Sequence, residues 1–268
     1  MIRRFRKFLQ EKLILPNKGK RYGQVVILAG GAASGKTFAK KHFIRSEDYK
    51  VIDPDQVKYL MIALANQGSE HFKDVKGADM SNPDDAQKVH NTMNDMRLGT
   101  RRRDVMYGDN PNRSELPNLM FDRTLAWDSE LTSITRKLVK AGYKQEDIHV
   151  IWILTDFQFA LMVNKKRKRT LADEVILFTH KGAKTSIVNF LFGRTSALAN
   201  GEVYVIFGGP ENTMYYVDNK GKPLDGKDGR ATVIQNFEYI KVKESGKKPD
   251  RTGDIIKKLM MKVSQLTP

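Results

Sequence analysis

The sequence predicts an α/β fold with a mainly parallel sheet flanked by helices. Three observations predict it: short apolar runs rich in β-branched residues recur, helical amphipathic patterns separate them, and a glycine-rich loop joins the first run to the first helix. The chain of 268 residues, 40% hydrophobic, 9% aromatic and 29% charged, can bury a sizeable core, which excludes collagen-like and wholly disordered classes. It contains no cysteine, so disulfide staples, thiol nucleophiles, cysteine-ligated zinc and iron–sulfur clusters are excluded too.

Residues 2–14 set Ile2, Phe5, Leu9 and Leu13 at helical spacing among Arg3, Arg4, Arg6, Lys7 and Lys12. Such a short basic amphipathic helix can lie on a membrane interface, on a phosphate backbone, or against the domain with its charged face in solvent. Pro16, Asn17 and Gly19 end it, so residues 1–22 read as helix plus linker and residues 23–240 as the main domain.

Residues 24–29 (QVVILA) read as a buried parallel strand and residues 36–45 as a helix. Residues 50–53 (KVID) give a second strand, and residues 56–66 a helix with Val57, Leu60, Met61 and Leu64 on one face. Residues 119–122 (LMFD) give a third strand, residues 131–141 a helix ended by Gly142, and residues 149–154 (HVIWIL) a fourth strand. Helices are predicted over 157–167 and 171–181, and another strand over 203–207 (VYVIF).

Two regions depart from this alternation. Residues 67–117 are polar, with turn signals at Asn82-Pro83 and Asn110-Pro111 and the run Arg101-Arg102-Arg103 between them; so long an insertion is more often functional than idle. Residues 208–230 hold Gly208-Gly209-Pro210, a strand-like stretch over 214–217 and a turn over 218–223. The tail over 241–268 is Lys-rich and ends in a helix predicted over 253–265.

The segment Gly30-Gly31-Ala32-Ala33-Ser34-Gly35-Lys36-Thr37 fits G-x-x-x-x-G-K-[ST], directly after a strand and directly before a helix. The glycines let backbone N–H groups turn inward around phosphates, Lys36 reaches the outer phosphates, and Thr37 can ligate Mg²⁺. These residues predict nucleoside triphosphate binding in a P-loop NTPase.

Carboxylates follow at the ends of the next strands. Asp53 and Asp55 leave the second strand and Asp122 ends the third, and in a parallel sheet all three approach the edge that carries the phosphate loop. Asp55 suits the base that takes a proton from an attacking hydroxyl, while Asp53 suits helix capping or Mg²⁺ support. Asp122 stands where a Walker-B-type acid would contact Mg²⁺ or grip substrate, with Thr124 beside it. The run Asn164-Lys165-Lys166-Arg167-Lys168-Arg169 ends a helix and suits a cationic lid, with Arg167 and Arg169 neutralising charge on a transferred phosphoryl group. His42, His71, His90, His149 and His180 lack metal-ligand spacing and read as structural or exposed.

The ordered series resembles the zeta-toxin-like P-loop kinases, whose fold is nucleoside-kinase-like. GGAASGKT is followed by VIDPD, where that family has I-D-x-D, by NLMFDRT, similar to its strand and E-G-T, by LVKAGYKQEDIHVIWILTD, by the lid at 164–169, and by MYYVDNKGKPL, similar to a late strand and N-x-x-G turn. The resemblance spans roughly residues 24–225. It implies ATP-dependent transfer of a γ-phosphoryl group to a hydroxyl, with Asp55 as base, Lys36 and Thr37 in the loop, and Arg167 or Arg169 in the lid. It also implies a UDP-N-acetylglucosamine-like acceptor and, for a toxin, an antidote protein as partner. The chain departs from the pattern at Asp122-Arg123-Thr124-Leu125-Ala126, where both glycines of the E-G-T-G-R stretch are missing and the arginine is shifted.

With 47 Lys+Arg against 31 Asp+Glu the formal net charge is +16, which attracts polyanions. Arg101, Arg102, Arg103, the basic N-terminal helix and the Lys-rich tail therefore favour a polyanionic acceptor, either nucleic acid (a chain end or a hydroxylated base) or a nucleotide-sugar. The alternative is a non-catalytic, NTP-dependent nucleic-acid-binding module. No window approaches roughly 18 consecutive apolar residues, and no apolar stretch with a small-residue cleavage site opens the chain, so a cytoplasmic protein without a transmembrane segment is expected.

Overall fold

The computed structural model describes residues 14, 16–20, 22–44, 46–98, 116–167, 170–210, 213–215, 233–235 and 238–268, with backbone alone at 42, 213–215 and 233–235. The basic helix expected over 2–14, apart from Ile14, the run Arg101-Arg102-Arg103, the Asn110-Pro111 turn, Arg169 and the turn over 218–223 lie outside the described residues.

Strands β1 (Val25–Ala29), β2 (Lys50–Ile52), β3 (Leu119–Asp122), β4 (Ile148–Thr155), β5 (Val203–Gly208) and β8 (Glu238–Lys243) form one sheet in the order β2-β3-β1-β4-β5-β8. All neighbours are parallel except β8, which runs antiparallel to β5. β6 (Thr213–Tyr215) and β7 (Val233–Gln235) form a separate antiparallel pair. β1 is wholly buried because its two faces are both covered, as a continuous apolar strand requires.

Side chains alternate across the sheet, so odd and even positions of β1 enter different cores. Val25, Ile27 and Ala29 pack with Phe121, Val150 and Trp152 against Leu131 and Leu138 of α4 (Asp128–Lys140), Ile187 of α6 (Asp173–Leu191) and Leu259 of α7 (Asp254–Leu266). Val26 and Leu28 pack with Met120, Ile151 and Ile206 against Ala39 of α1 (Lys36–His42), Phe43 and Ile44. This is the predicted sheet flanked by helices.

The boundaries differ in instructive places. The helices expected over 157–167 and 171–181 are α5 (Phe157–Lys165) and the much longer α6, which runs ten residues further. The segment over 67–117 is not all loop: α3 (Pro83–Asp95) starts at Asn82, whose side chain accepts N–H bonds from Asp84 and Asp85, with Pro83 in the first turn. α3 and a 3-10 turn (Glu70–Val75) pack Val75, Val89 and Met93 on Val57, Met61 and Ala65 of α2 (Pro54–Asn66). That satellite core centres on the i, i+4, i+8 stripe of α2, so Leu60, expected on the buried face, stays 59% exposed.

The stretch around 240 belongs to the sheet. β8 crosses the boundary expected at residue 241, and Ile256, Leu259 and Val263 of α7 join the larger core. Lys243, in the Lys-rich tail, is buried and donates to the carbonyls of Asn200, Gly201 and Glu244. Among the described residues no helix is long and apolar enough to cross a membrane.

Candidate active site

The loop over 30–37 leaves β1 where the strand order reverses, between β3 and β4, the position at which open α/β sheets form a ligand crevice. Its backbone demands what the sequence supplies. Gly35 stands before α1 at φ 91, and Gly30 at φ 148 approaches Ile153 O and Ser34 Oγ so closely that a Cβ would fall 2.8 Å from each. Thr155 Oγ1 donates to Ser34 O at 2.7 Å, anchoring the loop to the end of β4.

Lys36 curls back into the loop: Nζ donates to Gly30 O at 2.7 Å and Gly31 O at 2.9 Å. Burial pulls its pKa below the ordinary lysine value, the Asp122 carboxylate pulls it back up, and the charges of Arg167 and Lys40 push it down again. Thr37 is exposed in the first turn of α1.

α6 braces the loop from the far side. Thr179 Oγ1 accepts the Ala32 N–H at 3.0 Å, and His180 Nε2 meets Ala32 O at 2.9 Å. Because a carbonyl only accepts, His180 carries its proton on Nε2. Burial holds its pKa below the usual histidine value, with the Ala32 carbonyl opposing, so the ring is neutral near pH 7. Ala32 and Ala33 also pack on Ala160, Leu161, Leu171 and Ile176, so the α5–α6 hairpin sits directly on the phosphate loop.

The cationic segment is closed at its base by Asn164, 1% exposed, whose side chain donates to Leu171 O at 2.8 Å and accepts from Leu171 N at 3.1 Å. Arg167 N donates to Asn164 O at 3.0 Å. Asn164 thus holds Leu171 through its side-chain amide and Arg167 through its main-chain carbonyl.

The three acids gather at the sheet edge beside the loop. Asp122 ends β3 in register with Leu28 of β1. Lys40 Nζ reaches Asp122 Oδ2 at 2.6 Å and Asp53 Oδ2 at 3.5 Å. Asp53 is the N-cap of α2 and accepts the Asp55 N–H on Oδ1 at 3.0 Å. Asp55, with its side chain 53% exposed, pairs with Lys58 Nζ at 3.1 Å. Lys58 is buried, and His90 of the satellite helix α3 feels the charges of both Lys58 and Asp55, its pKa held down first by burial and then by Lys58. Thr124 is half-buried in the loop after β3, where Leu125 adopts φ 50. Arg123, in the same loop, lies 3.7 Å from Glu130.

Lys36, Thr37, Asp53, Asp55, Asp122 and Arg167 therefore stand on elements that converge on one sheet edge. Arg101, Arg102, Arg103 and Arg169 lie outside the described residues. Sequence reasoning missed Lys40, Thr155, Thr179 and His180 as parts of the site, and it placed Asn164 in the cationic run without its bonds to Leu171. Only Lys40 left a signal, four residues after Lys36 and so on the same helix face. Among the described residues no group of three or more His, Asp or Glu forms a metal cluster.

No family model and no curated protein matches the chain. Solved structures do. A chain of the AvrRxo1-ORF1:AvrRxo1-ORF2 crystal structure with sulphate ions superposes with TM-score 0.55 at 14% identity, over 97% of this chain and 68% of that one. The AvrRxo1-ORF1:-ORF2 structure with ATP gives TM-score 0.49 at 15% identity, over 81% and 60%. A chain of the PezAT chromosomal toxin-antitoxin system of Streptococcus pneumoniae gives TM-score 0.46 at 12% identity, over 76% and 74%. At such identity the likeness is one of fold. With the loop after β1, the strand order and the superposition at 0.55 together, the chain has a mainly parallel α/β fold of the P-loop NTPase class.

Proposed function

We propose that this chain is an ATP- and Mg²⁺-dependent kinase that transfers a γ-phosphoryl group to a hydroxyl of a polyanionic acceptor, a nucleic acid or a nucleotide-sugar. One observation carries the reading: the phosphate loop holding Lys36 and the carboxylates of Asp53, Asp55 and Asp122 converge on one sheet edge, tied together through Lys40. A loop built only to bind nucleotide does not call for three acids on the two neighbouring strand ends.

In this reading the loop amides and Lys36 receive the outer phosphates of ATP. Asp55 takes the proton of the acceptor hydroxyl while that oxygen bonds to the γ-phosphorus. The bond from the γ-phosphorus to the bridging oxygen breaks, ADP leaves, and the proton on Asp55 passes to solvent. Arg167 and Arg169 offset negative charge on the moving group. Thr37 and Asp122 supply hard oxygen donors of the kind Mg²⁺ prefers, and Mg²⁺ held there would neutralise the phosphates. Asp53, Thr124 and, from the sequence, Arg101, Arg102 and Arg103 are assigned to acceptor binding. The zeta-toxin-like motif series supports a toxin with an antidote protein as partner, and the formal charge of +16 supports a polyanionic acceptor.

The test incubates the protein with Mg²⁺ and γ-labelled ATP against UDP-sugars and against DNA that includes hydroxymethylated bases, with Asp55→Asn as control. Label in either pool, lost in Asp55→Asn, supports the kinase and names its acceptor class. ATP binding without label in either pool favours the non-catalytic nucleic-acid-binding module.

A further inference from the structure

Lys40 takes no part in the reaction as proposed, yet it joins two of the three acids of the site. It lies one helical turn after Lys36 on α1, so both ammonium groups come from the same helix face. Its side chain is 12% exposed, facing Asp122 at 11% and Asp53 at 24%, which separates this cluster from a solvated surface pair.

The bonds form a continuous path. Lys40 Nζ binds Asp122 Oδ2 on β3 and Asp53 Oδ2 after β2. The other oxygen of Asp53 accepts the Asp55 N–H. Asp53 thereby has each oxygen committed, one to Lys40 and one to the backbone that presents Asp55. Asp53 is thus the single carboxylate between Lys40 and the first turn of α2 on this path.

We propose that Lys40 is a positioning residue for phosphoryl transfer: it locks Asp122 and Asp53 to the helix of the phosphate loop, and through Asp53 sets where Asp55 stands relative to Lys36. The proposal rests on the kinase reading for its catalytic consequence and on the hydrogen-bond path for its structural one. Phosphoryl transfer depends on such placement, because a displacement of about 1 Å can cost roughly 10²-fold in rate. Lysine suits the task because its ammonium offers three donors that can be shared between two carboxylates.

Two measurements test it on the full chain, comparing Lys40→Met and Lys40→Arg with wild type. The first follows amide exchange at Asp55 by NMR without nucleotide. Lys40→Met should exchange faster at Asp55 by about tenfold or more, while the amides of β1 and β4 hold their wild-type rates, and Lys40→Arg should restore protection. Unchanged Asp55 exchange in Lys40→Met overturns the proposal. The second compares kcat and the KM for ATP: Lys40→Met should lower kcat by roughly 10- to 100-fold with KM within threefold, and Lys40→Arg should return to within tenfold of wild type. Equal losses in both variants, or a parallel rise in KM, overturn it. If wild type itself transfers no phosphoryl group, the kinase reading fails while the exchange result still decides the Lys40 path. Should Lys40→Met not fold, Lys40→Gln, which keeps a donor but not the charge, takes its place in both measurements.

Discussion

Gly31 is the position at which a single methyl group should break the phosphate loop. A Cβ there would fall 2.1 Å from His180 Cδ2 and 2.5 Å from Cγ and Nε2, against the 3.4–4 Å of ordinary contact. Relief requires the ring to move by more than an ångström. It is not free to do so: His180 is 4% exposed, bonded to Ala32 O at 2.9 Å and set edge-on to Phe157 at 5.8 Å between centroids. Overpacking a fitted interior costs about 1–3 kcal/mol, and losing the hydrogen bond adds about 1 kcal/mol. Gly31→Ala should therefore lower Tm by roughly 4–16 °C at the ~2–4 °C per kcal/mol usual for a chain of this size. It should also weaken ATP binding by about tenfold or more, since the displaced ring carries Ala32 with it. Calorimetry and nucleotide titration read both effects. His180→Ala in the Gly31→Ala background should recover part of the loss, giving a coupling of at least ~1 kcal/mol in the double-mutant cycle. Wild-type Tm and affinity in Gly31→Ala, or strict additivity with His180→Ala, would refute the fit between α6 and the loop.

Asp55→Asn should reduce kcat by roughly 10²–10⁴-fold with ATP affinity unchanged, measured by label transfer beside nucleotide titration. Asn164→Leu removes both bonds to Leu171; the Leu171 amide should lose exchange protection and kcat should fall more than ATP affinity, because Arg167 hangs from the same residue. His149 gives a pH dependence. Its Nδ1 accepts the Glu202 N–H at 2.9 Å, so Nε2 carries the proton donated to Gln24 Oε1 at 3.0 Å, and burial foremost lowers its pKa from 6.5 to about 4 despite Glu202 and Asp147. The unfolded chain takes up that proton first, so stability present above pH 6.5 is lost as pH falls toward about 4, to a limit of ~3 kcal/mol. Urea midpoints at pH 7 and pH 4.5 should fall less in His149→Gln than in wild type, and equal falls would count against a buried neutral ring.

How much of this was legible in the sequence depends on the range over which each feature is encoded. The loop over 30–37 and the strand-end acids are local: a strand ends, a short motif follows, and parallel order brings the strand ends to one edge. α3 was legible too, since Asn82, Pro83, Asp84 and Asp85 spell a cap, a first-turn proline and an acidic first turn ahead of Val89 and Met93 at i, i+4. It was read as a turn because the same Asn-Pro pair marks both. β8 was hidden by its lysines: Lys241 and Lys243 look like a solvated tail, yet they bind Glu202 and the Asn200 and Gly201 carbonyls at the far end of the sheet.

What the sequence could not carry is the second layer around the site. Thr179, His180 and Thr155 reach the loop through contacts 121 to 148 residues apart, Asn164 bonds Leu171 seven residues on, and nothing local to them marks a partner. Their residue types are ordinary for a helix or strand interior. They acquire meaning only once α6 is known to lie across Gly31 and Ala32, which is a property of packing. This divides the site into two kinds of requirement. The loop and acids define which chemistry is available, and any sequence with that motif in that order declares it. The buried amide, hydroxyls and imidazole define how rigidly the parts are held, and the chain spends polar residues in its interior to do so, each with its hydrogen bonds met on the loop or lid. A phosphate loop serving only as a turn would not need four such side chains from three other elements. Their convergence on residues 31–34 and on Leu171 after the cationic segment holds the loop rigidly, which is the placement that the proposed phosphoryl transfer would require.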